Sequence, residues 1–173
     1  FSDDWYPAIA SGMVDLEPSA LVGIEHGQLV AGSGRRIDAD VLVLATGFHT
    51  EQQPYAELVR GSEGRSLAEH WADGMTSFAS TVVTGFPNLF VLNGPNASLG
   101  HNSSIVMIEA QLDFVLDALE HLQQRGDGVL EVRPQAEADY TAALDAAARS
   151  TVWLTGGCRS WYVDERSGRL TLL

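Results

Sequence analysis

Residues 94 to 104 read GPNASLGHNSS, gathering two glycines, a proline, two asparagines, three serines and a histidine between two apolar segments. Leu89 to Leu92 precede the stretch, and an apolar-periodic run begins at Ile105. A strand, a glycine-containing loop and a helix in that order leave backbone N–H groups free at the helix start, pointing out of a sheet at its carboxyl edge. Those amides and the helix macrodipole favour negative charge. A phosphate is one candidate ligand. The other is a flavin, whose N1/O2 edge becomes negative when the ring is reduced. The structural alternative is a plain turn at Gly94-Pro95.

Other reactive residue types are fewer. His101 belongs to the loop and is read either as a flavin-edge residue or as a polar residue near the helix cap. His49 carries the same two readings, while His26, His70 and His121 read as turn or helix-surface residues. Cys158, between Gly157 and Arg159, has no evident histidine partner, which argues against a nucleophile. Asp113, Asp117 and Glu120 have the spacing of a solvated helix face. Ser103 and Ser104 lack the following glycine that a nucleophile elbow uses. No G-x-G-x-x-G phosphate loop occurs; the nearest attempt, GSGRRI from Gly32, has isoleucine where the third glycine belongs. No metal site is expected, and no catalytic residue is assigned.

The elements that would position the loop follow from hydrophobic period. Residues 20 to 45 suggest a small antiparallel meander, with turns at His26-Gly27 and at Gly32 to Gly34. The unbroken apolar run Val41 to Ala45 has the pattern of a strand buried on both faces, ending at Thr46-Gly47. A short helix is expected around SLAEHWA from Ser66, and a second β pattern from Thr81: TVV, the turn TGFPN, then the apolar run Leu89 to Leu92. Ile105, Ile108, Leu112, Val115, Leu116, Leu119 and Leu122 recur at spacings of three and four. They predict a long helix that turns this stripe to the core, starts at Asn102 or Ser103 and stops at Gly126. A short strand in GVLEVRP and an alanine-rich helix from Ala136 to Arg149, with Pro134 near its start, complete the pattern. The tail, with Trp153, Trp161 and Tyr162, reads as loops and a terminal strand, and the aromatics read equally as a core cluster or a lid.

Composition narrows the function classes. With 173 residues, 45% hydrophobic and 19% charged, the chain can bury one sizeable core and is neither fibrous nor disordered. A net charge of −13 repels phosphate backbones, so nucleic acid is not an expected partner. One cysteine excludes an internal disulfide framework and suggests a reducing cytoplasm. No run approaches the ~18 apolar residues of a membrane span, and the start FSDDWYPAIA lacks the order of a signal peptide. The opening in mid-pattern, without methionine, suggests a piece of something longer.

Three stretches, DADVLVLATGF from Asp38, GFPNLFVLNGPNASLGHNSSIVMIEAQ from Gly85 and TVWLTGGCRSWY from Thr151, resemble in order and separation the C-terminal portion of flavin-dependent monooxygenases of the flavin-containing and Baeyer–Villiger type. The resemblance implies an α/β fold: a C-terminal fragment of partial FAD- and NAD(P)-binding Rossmann-like domains, as in flavoproteins with two dinucleotide-binding domains. It implies that residues 1–47 end an NADPH domain and residues 48–173 return to an FAD domain. Gly94, Pro95 and Asn96 would lie along the flavin, and amides near Asn102, Ser103 and Ser104 would face its N1/O2 edge. Ala45, Thr46 and Gly47 would lie where the cofactors approach, and Trp161 resembles a residue of a loop closing over NADP and substrate.

The implied activity uses NADPH, FAD and O2 to insert an oxygen atom into a ketone or to oxidise an amine or sulfide. The segment alone is expected to be inactive and open to self-association. A flavin reductase or dehydrogenase and a non-catalytic interaction module are the alternatives.

Overall fold

The computed structural model describes residues 2–47, 49–98, 100, 102–126, 128–157 and 160–171. The chain divides into two compact units, Phe1–Thr46 and Gly47–Leu173.

The first unit holds helix α1 (Trp5–Ala10) and strands β1 (Leu21–Glu25), β2 (Gln28–Ala31) and β3 (Arg36–Ile37). The strands form an antiparallel sheet in the order β1-β2-β3, as the turn residues predict. His26 and Gly27 both take left-handed backbone, with φ of 52° and 82°, the pair that a two-residue hairpin needs to match strand twist. Glu25 then faces Gln28, and Leu29 faces Ile37. The expected buried strand at Val41 to Ala45 is not formed. These residues lie outside the sheet, with Val41, Val43 and Leu44 at least 70% exposed. A parallel strand draws its ladder from sequence-distant neighbours, and no strand pairs with this run among the described residues.

The second unit is built around Leu67, Trp71, Val83 and Phe86, with Ala56 between them and Val59, Met75 and Leu89 packed against the cluster. Leu67 and Val83 are almost wholly removed from water, which stabilises the fold by roughly 1.5–3 kcal/mol per side chain. Leu67 opens α2 (Leu67–His70), whose start is fixed by a capping box: Ser66 Oγ accepts from the Glu69 N–H, and Glu69 reaches back to the Ser66 N–H. Those bonds from Ser66 hold the Glu69 carboxyl below the usual carboxylate range. A single 3₁₀ turn, Pro54–Glu57, packs beside α2.

Helix α3 (Ser104–Arg125) ends as expected, at a left-handed Gly126 with φ 73°. Its orientation is a correction. Ile105, Leu112, Leu116 and Leu119 of the predicted core stripe are exposed, and the buried positions are Gln111 and Ala118. Phe114, Val115 and Leu122, half-buried, continue that line. Helix α4 (Pro134–Ala148) starts two residues before the expected Ala136, with the proline in its first turn. It is tied down by buried Glu137, which accepts from Thr76 Oγ1 and from the Thr84 N–H, both at 2.7 Å.

The strands expected at Leu89 to Leu92 and in GVLEVRP are irregular segments. Specific hydrogen bonds replace their ladders: the Asn88 N–H donates to Leu130 O and the Val91 N–H to Thr81 O. After a short helix α5 (Val152–Thr155), the tail forms one antiparallel bridge, Val163 with Leu170, rather than a full strand. It packs with Trp153, Leu154 and Tyr162 on Ala148.

Candidate functional site

A cavity of about 290 Å³ opens in the second unit beside the start of the GPNASLGHNSS loop. Its described lining consists of Asn93, Gly94, Pro95 and Ser98 from the loop, Thr50, Gln53 and Tyr55, and Met75, Trp161 and Thr171. None of these side chains is charged.

The loop side is held from behind. Gln111 of α3, buried to 4% exposure, donates through Nε2 to Ser80 O at 2.7 Å and to Thr81 Oγ1 at 3.0 Å. Its Oε1 accepts from the Asn93 N–H at 2.8 Å. Gly94 crosses directly over the Ser80 carbonyl, where a Cβ would overlap that oxygen. The glycine is thus demanded by the chain's own packing, whatever lies across the cavity. Asn93 and Asn96 both take left-handed backbone, with φ of 52° and 67°, a conformation asparagine tolerates better than most side chains. The Ala97 N–H donates to Gly94 O at 3.0 Å, closing the turn.

Asn96 fastens the loop to the tail. Its Nδ2 donates to Leu170 O at 2.8 Å and its N–H to Thr171 O at 3.2 Å. The tail is braced by Asp164, 4% exposed and paired with Arg166 at 2.7 Å. Burial alone would raise the Asp164 carboxyl, but the side-chain and backbone donors of Arg166 and its charge hold it below the ordinary range. Arg166 also donates to Trp71 O and Glu51 O, joining tail to core. Trp161 meets Tyr162 edge-on at 4.5 Å, and Tyr162 meets Trp153 at 6.2 Å. Tyr162 and Trp153 belong to the tail cluster, whereas Trp161 is 43% exposed and borders the cavity. Core cluster and cavity wall are therefore roles of different members of one aromatic group.

Elsewhere in the lining, the Gln53 amide donates to Thr50 O at 2.8 Å. Thr50 Oγ1 is buried without a hydrogen-bond partner. Burial pushes the Tyr55 phenol up, so it stays protonated at neutral pH and can donate or accept.

The structure brings Gly94, Pro95 and Trp161 together on the cavity and puts Asn96 behind it. Asn102, Ser103 and Ser104 start α3 outside the described lining, and Asn102 and Ser103 are exposed. The Ser103 side chain makes no cap bond, and its N–H donates to Asn102 Oδ1. Ala45 and Thr46 end the first unit; Gly47 begins the second, with φ 85° and open space where a Cβ would be. His49 is exposed and 3.7 Å from Glu51. His101 and Cys158 lie outside the described residues. The residues that sequence reasoning missed are Gln111, Asp164, Asn93, Thr50 and Tyr55.

This geometry has counterparts among known proteins. No protein-family model matches the chain. A Baeyer–Villiger monooxygenase of Streptomyces coelicolor is 42% identical over 171 residues, covering 98% of this chain and 33% of that protein. A Baeyer–Villiger monooxygenase of Pseudomonas aeruginosa is 37% identical, covering 97% and 32%. The chain matches a segment of the Baeyer–Villiger monooxygenases. It spans about a third of the length of these curated relatives.

Solved structures agree. A steroid monooxygenase with NADP bound superposes with a TM-score of 0.69 at 31% identity, over 92% of this chain and 30% of its own. A closed cyclohexanone monooxygenase gives 0.70 at 27% identity, with the same coverage. Among the described residues, no helix is long and apolar enough to cross a membrane.

Proposed function

We propose that this chain supplies the ring-facing wall of an FAD- and NADPH-dependent Baeyer–Villiger monooxygenase, with a neutral ketone as substrate. The observation that carries the proposal is the meeting of Gly94, Pro95 and Trp161, singled out by separate motifs, on one cavity whose described lining carries no charge. The residues present fit the ring end of a flavin: a glycine-proline turn without bulky side chains, and an aromatic side chain in the same lining. They do not include a phosphate loop. The segment by itself is proposed to be inactive for that reason.

When bound, FAD reduced by NADPH supplies the chemistry by which one atom of O2 enters the substrate. This chain's residues bind, orient and exclude water. The Asn93 to Pro95 backbone offers a rigid face to the ring, and Trp161 closes the side. Amides at the start of α3, near Asn102, Ser103 and Ser104, stabilise negative charge on the ring's edge. Ala45, Thr46 and Gly47 keep the cofactor-junction role that the resemblance gives them. The split of the chain at Thr46/Gly47 supports reading the units as the end of an NADPH domain and part of an FAD domain.

The absence of charge among the described lining residues also favours the ketone. A protonated amine entering this cavity would meet no carboxylate among its described lining residues and would lose hydration without a counter-charge. A carbonyl needs only a donor, which Tyr55 or Ser98 can supply.

The test is a visible spectrum of the longest natural product of this gene, purified with FAD, before and after anaerobic NADPH. Bands that bleach and return with oxygen, with oxygen uptake matched to ester formation from a ketone, are the expected result. No bound flavin would overturn the proposal. Flavin that reduces without oxygenating any ketone would leave an amine or sulfide oxidation or, with no substrate oxygenated at all, a reductase.

A further inference from the structure

We propose that Gln111 is a positioning residue, holding the cavity's loop wall at Asn93 and Gly94 in register with the strained turn at residues 79–81 and so fixing the face offered to the flavin ring. The inference rests on the flavin reading above and goes beyond it by naming a residue that touches neither cavity nor cofactor.

Four non-glycine residues with positive φ cluster here: Ala79 at 49°, Ser80 at 54°, Asn93 at 52° and Asn96 at 67°. Ala79 and Ser80 are consecutive and have no side-chain amide to support the left-handed conformation, which L residues seldom occupy. Such strain persists only where surrounding contacts over-determine it, and it concentrates at functional sites.

Gln111 provides those contacts for both halves. Its amide N–H groups bind Ser80 O and Thr81 Oγ1, and Thr81 Oγ1 in turn donates to Ala79 O at 2.8 Å. Its carbonyl oxygen takes the Asn93 N–H, one residue before the glycine that crosses Ser80. One side chain therefore reads the register of residues 79–81 against 93–94 through donor and acceptor at once. The job is specific to glutamine. Glutamate keeps the acceptor but donates only when protonated, asparagine is one methylene short, and methionine keeps the volume with neither function. None of the residues bonded to Gln111 is titratable, so a pH response in a glutamate variant would report position 111 itself.

The experiment uses Gln111→Met and Gln111→Glu in two settings. In the 173-residue chain, amide hydrogen exchange of residues 79–96 reads the positioning without any cofactor. In the longest gene product, FAD affinity and the flavin absorption envelope read its consequence. Gln111→Met removes the hydrogen bonds to Ser80, Thr81 and Asn93 and is expected to speed exchange in that segment by at least about tenfold and to weaken FAD by about tenfold. Gln111→Glu should behave the same at mildly basic pH and return toward wild type in mild acid, where the neutral carboxyl donates to Ser80 again; the methionine variant should not recover.

Unchanged exchange in Gln111→Met would overturn the positioning role. Faster exchange with unchanged flavin would leave Gln111 a structural tie and overturn the link to the ring. If Gln111→Met does not fold, acid recovery of Gln111→Glu decides, and its absence sinks the proposal.

Discussion

The two ends of GPNASLGHNSS are alike in composition and opposite in how they are held. Asn93 to Asn96 are locked from three directions, by Gln111, by the Ser80 carbonyl under Gly94 and by the tail through Leu170 and Thr171. Asn102 and Ser103 stand in solvent at an uncapped helix start. Pro95 to Ala97 are buried, and a buried polar segment has to satisfy its backbone groups inside the protein, so its geometry is fixed before any ligand arrives. An exposed helix start can leave its amides to water and give them to a ligand later. Under the proposed function the first end would supply shape and the second charge stabilisation. Substitutions at the first end should cost stability, and those at the second should cost only binding.

The sharpest break is Gly94→Val. Its side chain would overlap the Ser80 carbonyl and crowd Val91 Cγ1, 3.3 Å from the Cβ position. Urea unfolding should show a loss of about 3 kcal/mol, the upper range for overpacking a close contact. Wild-type stability would mean that the loop is free to move away from residue 80.

Asn96→Ala comes next. It removes the donor to Leu170 O and puts a residue less tolerant of φ 67° in its place. The expected cost is about 2 kcal/mol, together with faster proteolysis of the tail after Asn96. A stable variant with an intact tail would show that the bridge from Val163 to Leu170 holds without the loop.

Asp164→Asn should cost about 1 kcal/mol at neutral pH, the size of a net hydrogen bond, and should change the acid limb of stability. The native carboxyl is held low, so its contribution is complete above the unfolded-state value and is lost as pH falls toward the native one. Unfolding followed across that range should be less steep with pH in the variant. Equal slopes would place the tail's acid sensitivity elsewhere.

What the sequence discloses and conceals follows the same division. Local signals were legible: the hairpin at His26-Gly27, the stop of α3 at Gly126 and the proline start of α4 need only neighbouring residues. Partnership was not. Val41 to Ala45 and Leu89 to Leu92 have strand composition, but no ladder forms on them among the described residues. On α3 the apolar stripe outvoted a polar residue that is in fact buried. Gln111 lies in line with Phe114, Ala118 and Leu122, three, seven and eleven residues on, and period arguments that treat every glutamine as solvent-facing pass over it. Of the residues at the candidate cavity, Gly94, Pro95 and Trp161 are ones that the resemblance names, whereas Thr50 and Tyr55, like Asp164 in the tail, carry no sequence pattern that marks them.

The smallest stability effect tests the exposed end and separates the two roles most cleanly. Ser103 has an extended backbone at the N-cap of α3, and its side chain bonds nothing there. Ser103→Ala should therefore leave stability within about 0.5 kcal/mol of wild type, as at an ordinary surface position. Ser103→Pro keeps a φ close to the observed −83° and removes the N–H. That N–H donates only to Asn102 Oδ1, an exposed group that water can serve, so folding should again change little. If the α3 start stabilises the flavin's edge, Ser103→Pro in the longest gene product should weaken FAD binding or slow its reduction by NADPH, while Ser103→Ala does neither. Equal flavin content and equal reduction rates in both would confine the flavin's contacts to the buried end of the loop, and the amides at Asn102 to Ser104 would be no more than a solvated helix terminus.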